Sequence, residues 1–131
     1  MDDFPMLFSY TRAQALPDGV LIDAGAMARQ AGFTVPVALT SGVWGECVAW
    51  DEKDNARGAA EQSEAGRLWD VLYMAGHAAR LHRGSKLSRV PFVVVRVPKG
   101  GRRAERAELM LHIGPGDTHE AVITVMLPNE D

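Results

Sequence analysis

The chain has 131 residues, of which 47% are hydrophobic and 24% are charged, and its formal net charge is −3. This composition predicts one globular domain over 1–131 and argues against a disordered chain. The apolar runs are shorter than the roughly 20 residues that cross a bilayer, and the acidic start has no basic segment typical of a signal peptide. Cys47 is the only cysteine, so we expect no internal disulfide, no structural zinc and a reducing cytoplasm.

Turn residues divide the first half of the chain into short helical and extended pieces. Pro36 has no N–H to donate, so any strand around it should be irregular or at a sheet edge. The polar stretch 51–62 is predicted to be the longest loop. The other predicted pieces are a helix over 9–16, a short strand near 20–23, a helix over 24–31 capped by Asp23, an extended segment over 33–39, and a helix over 43–50 capped by Thr40 or Ser41.

The longest predicted helix begins at Ser63 and ends near His82. Its main apolar stripe consists of Leu68, Val71, Leu72, Ala75 and Ala79. A second stripe of Trp69, Tyr73 and His77 predicts that the helix packs on two sides. Arg67 and Asp70, three positions apart, predict an ordinary ion pair on the helix surface.

After this helix the apolar period changes from 3.6 to 2, which predicts strands over 92–97, 108–113 and 121–127. Short links between consecutive strands require antiparallel pairing. In the second strand we expect Leu109, Leu111 and Ile113 to face the core. The predicted fold is therefore α+β: the N-terminal two-thirds is helical and packs on a C-terminal three-stranded antiparallel meander, with one short extra strand near 20–23.

No pattern of reactive residues predicts catalysis or metal binding. The histidines lack zinc-ligand spacing: His77 and His82 are five apart, His112 falls in a strand, and His119 falls in a turn. Cys47 lies among apolar residues and is interpreted as a buried thiol. We therefore expect no metal and no cofactor. A small enzyme stays open as an alternative, and a pocket that gathers a histidine and a carboxylate with shifted pKa values would favour it.

Charge is strongly segregated along the sequence. The segment from Arg80 to Arg106 has nine basic residues against one acidic residue, Glu105, while the rest of the chain has five basic and sixteen acidic residues. Two loops at opposite ends of the first C-terminal strand hold most of these cations. The candidate partner-binding residues are Arg83, Lys86, Arg89, Lys99, Arg102, Arg103 and Arg106.

Three interpretations of this basic segment stay open. It could be a solvated rim, it could dock on an acidic protein surface, or it could bind nucleic acid. Nucleic-acid binding would use the phosphates, because no aromatic residues alternate with the cations to stack on bases. The leading hypothesis is a non-enzymatic protein that docks on a protein partner.

Three longer stretches and the end of the chain resemble a known family when taken together. They are YTRAQA leading to GVLID, AGF followed by PVALT and VW, GRLWDVL, and GPGD followed by VITVMLP. The chain resembles a family of uncharacterised small proteins that are carried on plasmids, phages and integrative elements of proteobacteria. The resemblance implies a mobile-element accessory factor, and as a refinement an inhibitor of CRISPR or restriction defence. It transfers no catalytic residue.

Overall fold

The computed structural model describes residues 11–57 and 61–130. The helices are α1 (Arg12–Ala15), α2 (Ala26–Gln30), α3 (Ser41–Val43) with a π-helical continuation (Trp44–Val48), α4 (Glu52–Arg57) and α5 (Glu64–Leu81). The strands are β1 (Leu21–Asp23), β2 (Val37–Thr40), β3 (Arg89–Arg96), β4 (Glu105–Pro115) and β5 (Ala121–Met126).

The strands form one five-stranded mixed sheet in the order β1-β2-β5-β4-β3. β2 and β5 are parallel, with Val37 opposite Ile123, and the other neighbours are antiparallel. The protein is α+β, but the predicted C-terminal three-stranded meander under a helical first two-thirds is wrong. The segment from 21 to 40 contributes two strands, and β2 lies inside the sheet instead of at its edge.

Pro36 does not disturb β2, because the strand begins one residue later. Its carbonyl accepts a hydrogen bond from the N–H of Ile123 at 2.9 Å, so the proline uses the one backbone group it can offer to the sheet. All four residues of β2 are buried. A strand buried on both faces shows no alternation of apolar and polar residues, which explains why its place in the sheet was not predicted.

The first two helices are shorter than predicted. Residues 9 and 10 of the first predicted helix lie outside the described residues. Thr11 caps α1 reciprocally with Gln14: each side-chain oxygen accepts the other residue's backbone N–H at 3.1 Å. Asp23 is not the N-cap of α2, since its Oδ1 accepts from the N–H of Gly25, and Gly25 (φ 65°) occupies the cap position itself.

The segment from 40 to 57 differs from the prediction in two places. Thr40 caps α3 as expected, with Oγ1 accepting from the N–H of Val43 at 3.2 Å, but the helix widens to π geometry and ends at Val48. The predicted loop over 51–62 contains helix α4 instead. Asp51 and Asp54 stabilise its first turn, because each carboxylate accepts the other residue's backbone N–H, at 2.9 and 3.0 Å.

Helix α5 is confirmed, with Ser63 as its N-cap accepting from the N–H of Gly66 at 3.1 Å. Its main apolar stripe packs against one face of β3 and against the π-helical segment. The predicted second packing side is wrong, because Tyr73 and His77 are exposed and only Trp69 is partly covered. The largest fully buried core side chains include Leu39, Leu72, Leu109, Leu111, Val43, Val90 and Val125.

β3 is the outermost described strand beside β4, and Pro91 lies in its middle. Ile113 donates its N–H to Ser88 O at 2.8 Å. In an antiparallel ladder, every second residue of a strand points its backbone N–H and C=O toward the partner strand. Counting from Ser88, Val90 and Phe92 therefore point theirs toward β4, and the nitrogen of Pro91 points to the free side. The proline therefore removes no ladder hydrogen bond.

Candidate docking site

The seven predicted partner-binding residues form two groups. Arg83, Lys86 and Arg89 lie where β3 begins, and the other four lie around the hairpin that joins β3 to β4. Arg89 lies opposite His112, and Arg96 lies opposite Glu105. Seven strand intervals of about 3.3 Å separate the groups by roughly 23 Å. The two groups therefore belong to different surfaces at opposite ends of the strand.

At the hairpin end, one of the cations is already paired. Lys99 donates from Nζ to Asp54 at 2.5 Å and to Asp51 at 3.3 Å, and Asp54 is buried. The hydrogen bond to Asp54 raises the pKa of Lys99. The backbone hydrogen bond from Asp54, and then Lys99, lower the pKa of Asp51. Arg102, Arg103 and Arg106 are exposed beside this pair.

At the other end, a groove of about 260 Å³ lies between the end of α5, the segment 32–35 and the end of the sheet. We call it the basic groove. Its described lining has Arg80, His82 and Arg83 but no aspartate or glutamate. Its other described lining residues are Gly32, Phe33, Thr34, Val35, Gly76, Ala79, Gly84, Ser85, Leu87, Val90, Ile113 and Ile123.

Two large apolar side chains at the basic groove are open to solvent. Leu87 is 55% exposed and Ile113 is 37% exposed, so Ile113 is not buried although it lies on the predicted face of β4. Ile113 belongs to the core-facing register of β4, but it lies past the end of α5, where the helix no longer covers the sheet. The basic groove thus places cations beside exposed apolar surface, a combination typical of interaction sites.

Turn geometry fixes the basic residues of the groove. Helix α5 ends at Leu81, His82 Nδ1 lies 3.1 Å from Ala78 O, and Ser85 donates its N–H to His82 O. Gly84 takes a positive φ of 84°, which reverses the chain after Arg83. The opposite wall approaches the helix closely because Gly76 has no side chain: a Cβ there would lie 3.3 Å from Ala31 O.

Of the residues that line the basic groove, only Arg83 is among the predicted partner-binding residues. Lys86 belongs to the same loop without lining the groove, and Arg89 is half-buried opposite His112. Arg80, His82 and Leu87 were missed as site residues. Their one sequence signal is a basic helix end followed by a glycine turn and an isolated leucine, and nothing in that pattern shows that the segment 32–35 closes the groove.

Arg67 is the most unexpected charged residue of the structure. The predicted surface ion pair with Asp70 is wrong, because Arg67 is buried and bonds to neutral acceptors: Val48 O at 3.0 Å, Gln62 Oε1 at 2.6 Å and Val97 O at 2.7 Å. Its guanidinium lies over the ring of Trp50, 4.6 Å from the centroid. Arg67 therefore joins the π-helical segment, the start of α5 and the end of β3.

Cys47 is 1% exposed, which confirms the interpretation of a buried thiol. Burial raises its pKa, although the charge of Arg96 and a hydrogen bond with it act in the opposite direction. A buried thiol with a raised pKa is a poor nucleophile. Among the residues that the structure describes, no group of three histidine, cysteine, aspartate or glutamate side chains could hold a metal ion.

One cavity, of about 200 Å³ between α1 and the turn after β4, gathers a histidine and a carboxylate. Burial and then the charge of Arg89 lower the pKa of His112. Hydrogen bonds from the N–H groups of Arg12 and Ala13 lower the pKa of Asp117. Because Asp117 accepts from both N–H groups at the start of α1, at 2.8 and 3.0 Å, its carboxylate holds the helix in place, and this arrangement does not favour proton transfer.

Fold and sites together define a mixed-sheet α+β protein with a basic, partly apolar groove at one end. A family model described as a family of unknown function (DUF6573) matches residues 3–131, so the chain belongs to that family. No curated protein and no solved structure matches the chain. No helix among the described residues has the length and apolar character needed to cross a membrane.

Proposed function

We propose that this chain is a binding protein whose basic groove receives a segment of a partner protein that has acidic residues next to apolar ones. The observation that supports it best is the groove lining, where Arg80, His82 and Arg83 have no described carboxylate beside them and Leu87 and Ile113 are exposed. The chain as a whole is acidic, so this end of the molecule differs from the rest in its local charge.

The two kinds of contact would contribute differently to binding. Fully burying an exposed leucine or isoleucine contributes about 1.5–3 kcal/mol. Leu87 and Ile113 are already partly covered, so covering the rest of each contributes on the order of 1 kcal/mol, and the apolar rim supplies affinity. The arginines would speed association with an acidic segment and disfavour basic partners. A protein segment fits this combination better than a nucleic acid, because the groove offers apolar aliphatic walls and Phe33, the one Phe, Tyr or Trp in its described lining, is buried.

Site-specific photocrosslinking tests this proposal. A photoreactive amino acid replaces Leu87 in the groove or, as the matched control, Tyr73, which is 54% exposed on the outer side of α5. We expect one partner band from position 87 and none from position 73, and we expect Arg83→Glu to abolish that band. Equal crosslinking at both positions, or a band that survives Arg83→Glu, would contradict docking in the basic groove.

The resemblance described above supports a narrower proposal: an accessory factor of a mobile element, acting in the cytoplasm on a defence protein of the host. Plaque counts of a phage on hosts with a CRISPR or restriction system test this role. Expression of the chain should raise the counts, and Arg83→Glu should reverse the gain. Unchanged counts would remove the defence role but leave the docking proposal in place.

The exposed hairpin arginines favour nucleic-acid binding as a second candidate function. Arg102, Arg103 and Arg106 are exposed around one turn and could contact phosphates. Binding to a DNA or RNA duplex should weaken steeply with salt and weaken again in Arg102→Ala and Arg103→Ala. A flat titration at low salt would eliminate this candidate.

A further inference from the structure

A second site, independent of the basic groove, surrounds the guanidinium of Arg67. Arg67 is 4% exposed, yet it forms no ion pair with a described residue. Its Nε and Nη1 donate to neutral oxygens, and its buried Nη2 has no described acceptor. A buried charge is costly unless charged or well-aligned acceptors surround it. Nη2 carries two N–H groups, so both of these donors are left without a described acceptor.

A second guanidinium lies close by. Arg96 donates from Nε to Glu46 O at 3.2 Å and from Nη1 to Glu105 O at 3.3 Å, again to backbone carbonyls. The pKa of Arg67 is lowered, first by burial, and the charge of Arg96 acts in the same direction. The two positive charges thus repel each other. A nearby anion would reduce this repulsion and would also accept a hydrogen bond from a guanidinium.

Arg67 and Arg96 line the same small cavity, of about 110 Å³. Asp70 is the only acidic residue in its described lining, so the two arginines outnumber the carboxylates. Half-buried Gln62 and exposed Ala104 also line the cavity, which gives it an outer wall near the surface. The volume suits a group of the size of phosphate and is too small for a nucleotide.

We propose that this cavity binds a small oxyanion of the phosphate or sulfate class, held between the guanidinium groups of Arg67 and Arg96. The oxyanion supplies the charged acceptor that Arg67 lacks, and it could also replace the neutral amide of Gln62 at Nη1. Asp70 limits the affinity, because its carboxylate repels the ligand. The site joins the π-helical segment, α5 and the β3–β4 hairpin, so a bound anion would stabilise the contact between them.

Thermal unfolding in sodium phosphate, compared with sodium chloride at equal ionic strength, tests the site. Phosphate at about ten times its Kd should raise Tm by about 5 °C. Arg96→Gln should increase the Kd at least tenfold, and Asp70→Asn should decrease it, whereas Arg103→Gln, which removes an exposed hairpin cation, should leave it unchanged. Neither Arg96 nor Asp70 is a core residue, so these variants should fold.

Two results would overturn the proposal. One is a Tm that is equal in phosphate and in chloride. The other is a Kd that changes as much in Arg103→Gln as in Arg96→Gln, because the anion would then bind to surface charge in general. A decrease in Kd for Asp70→Asn is the most specific supporting result, since Asp70 lies in this cavity and does not line the basic groove.

Discussion

At the residue scale, Arg67 should stabilise the fold through its neutral acceptors. Arg67→Met keeps much of the side-chain length but leaves the carbonyls of Val48 and Val97 without their donor. Each lost hydrogen bond to a charged group costs roughly 1.5–3 kcal/mol, and removal of the buried charge offsets part of that loss. We expect a net decrease of about 2 kcal/mol in the free energy of unfolding, measured by urea denaturation.

Asp70→Asn is the matched control for this prediction. The structure shows no hydrogen bond between Asp70 and Arg67, and exposed substitutions of this kind usually change stability by less than about 0.5 kcal/mol. Equal losses for Arg67→Met and Asp70→Asn would favour the ion pair that the sequence predicted. No loss for Arg67→Met would contradict a stabilising role for the buried guanidinium.

His112 should make stability depend on pH. Its pKa is lowered from the ordinary value of 6.5, first by burial and then by the charge of Arg89. The folded chain therefore binds this proton less readily than the unfolded chain does. The stability that depends on neutral His112 is fully present above about pH 6.5, the pKa in the unfolded chain. It is lost as the pH falls from that value toward the lower pKa of His112 in the folded chain.

Urea denaturation at pH 7.5 and at pH 5.5 measures this effect. The wild-type chain should lose stability between the two values, and His112→Gln should lose less. His77→Gln, at an exposed helix position, should behave as the wild-type chain does. Equal pH dependence of stability in both histidine variants would contradict the assignment to His112.

The pKa values of Asp51, Asp117 and Glu120 are also lowered, so these carboxylates too make the chain less stable as the pH falls. Their effect occurs at more acidic pH, below their ordinary range near 4.

At the element scale, Pro91 protects the outer strand of the sheet. Its nitrogen points to the free side of β3, so replacing it with threonine adds one N–H donor to an exposed strand edge. Unpaired donors on an edge promote pairing with another chain. Pro91→Thr should therefore self-associate more than Val93→Thr, which adds no backbone donor. Sedimentation at several concentrations measures this, and equal association of the two variants would contradict the argument.

Elements with local signals could be predicted from the sequence. Helix α5 has a serine cap and an apolar stripe, β4 alternates clearly, and β3 and β5 are runs of β-branched residues bounded by turn residues, so their existence followed from the sequence. β2 has no such signal, because all four of its residues are buried. Pro36 also suggested an edge strand, since sequence alone does not show whether a strand begins before or after a proline.

The candidate sites were harder to predict than the elements. Arg83 was selected because charge density is visible in the sequence. Leu87 and Arg80 gained their place in the groove only through the segment 32–35, which is about 50 positions away in the chain. Arg67 was misread, because an acidic residue three positions later is the usual sign of an exposed helical pair. Burial by Trp50 and the end of β3 decides its role instead.

At the scale of the whole molecule, β5 completes the sheet. It lies between β2 and β4, and its residues Ile123 and Val125 belong to the main core. A chain that stops at 118 would leave both neighbouring strands with unpaired backbone groups, so it should show no cooperative thermal transition. A chain that stops at 127 keeps β5 and should unfold cooperatively. Cooperative melting of the shorter chain, followed by circular dichroism, would contradict this role for β5.

The parallel pairing of β2 with β5 also has a consequence for synthesis. Val37 pairs with Ile123, which is 86 positions later in the chain, so this pair cannot form until Ile123 has been synthesised. At about 5–20 residues per second, the ribosome needs roughly 4–17 s to make that stretch. During this time the inner side of β2 has no partner, and such distant contacts also slow folding. A chaperone that binds nascent apolar strands would therefore meet this protein at β2, before the residues of either proposed site have come together.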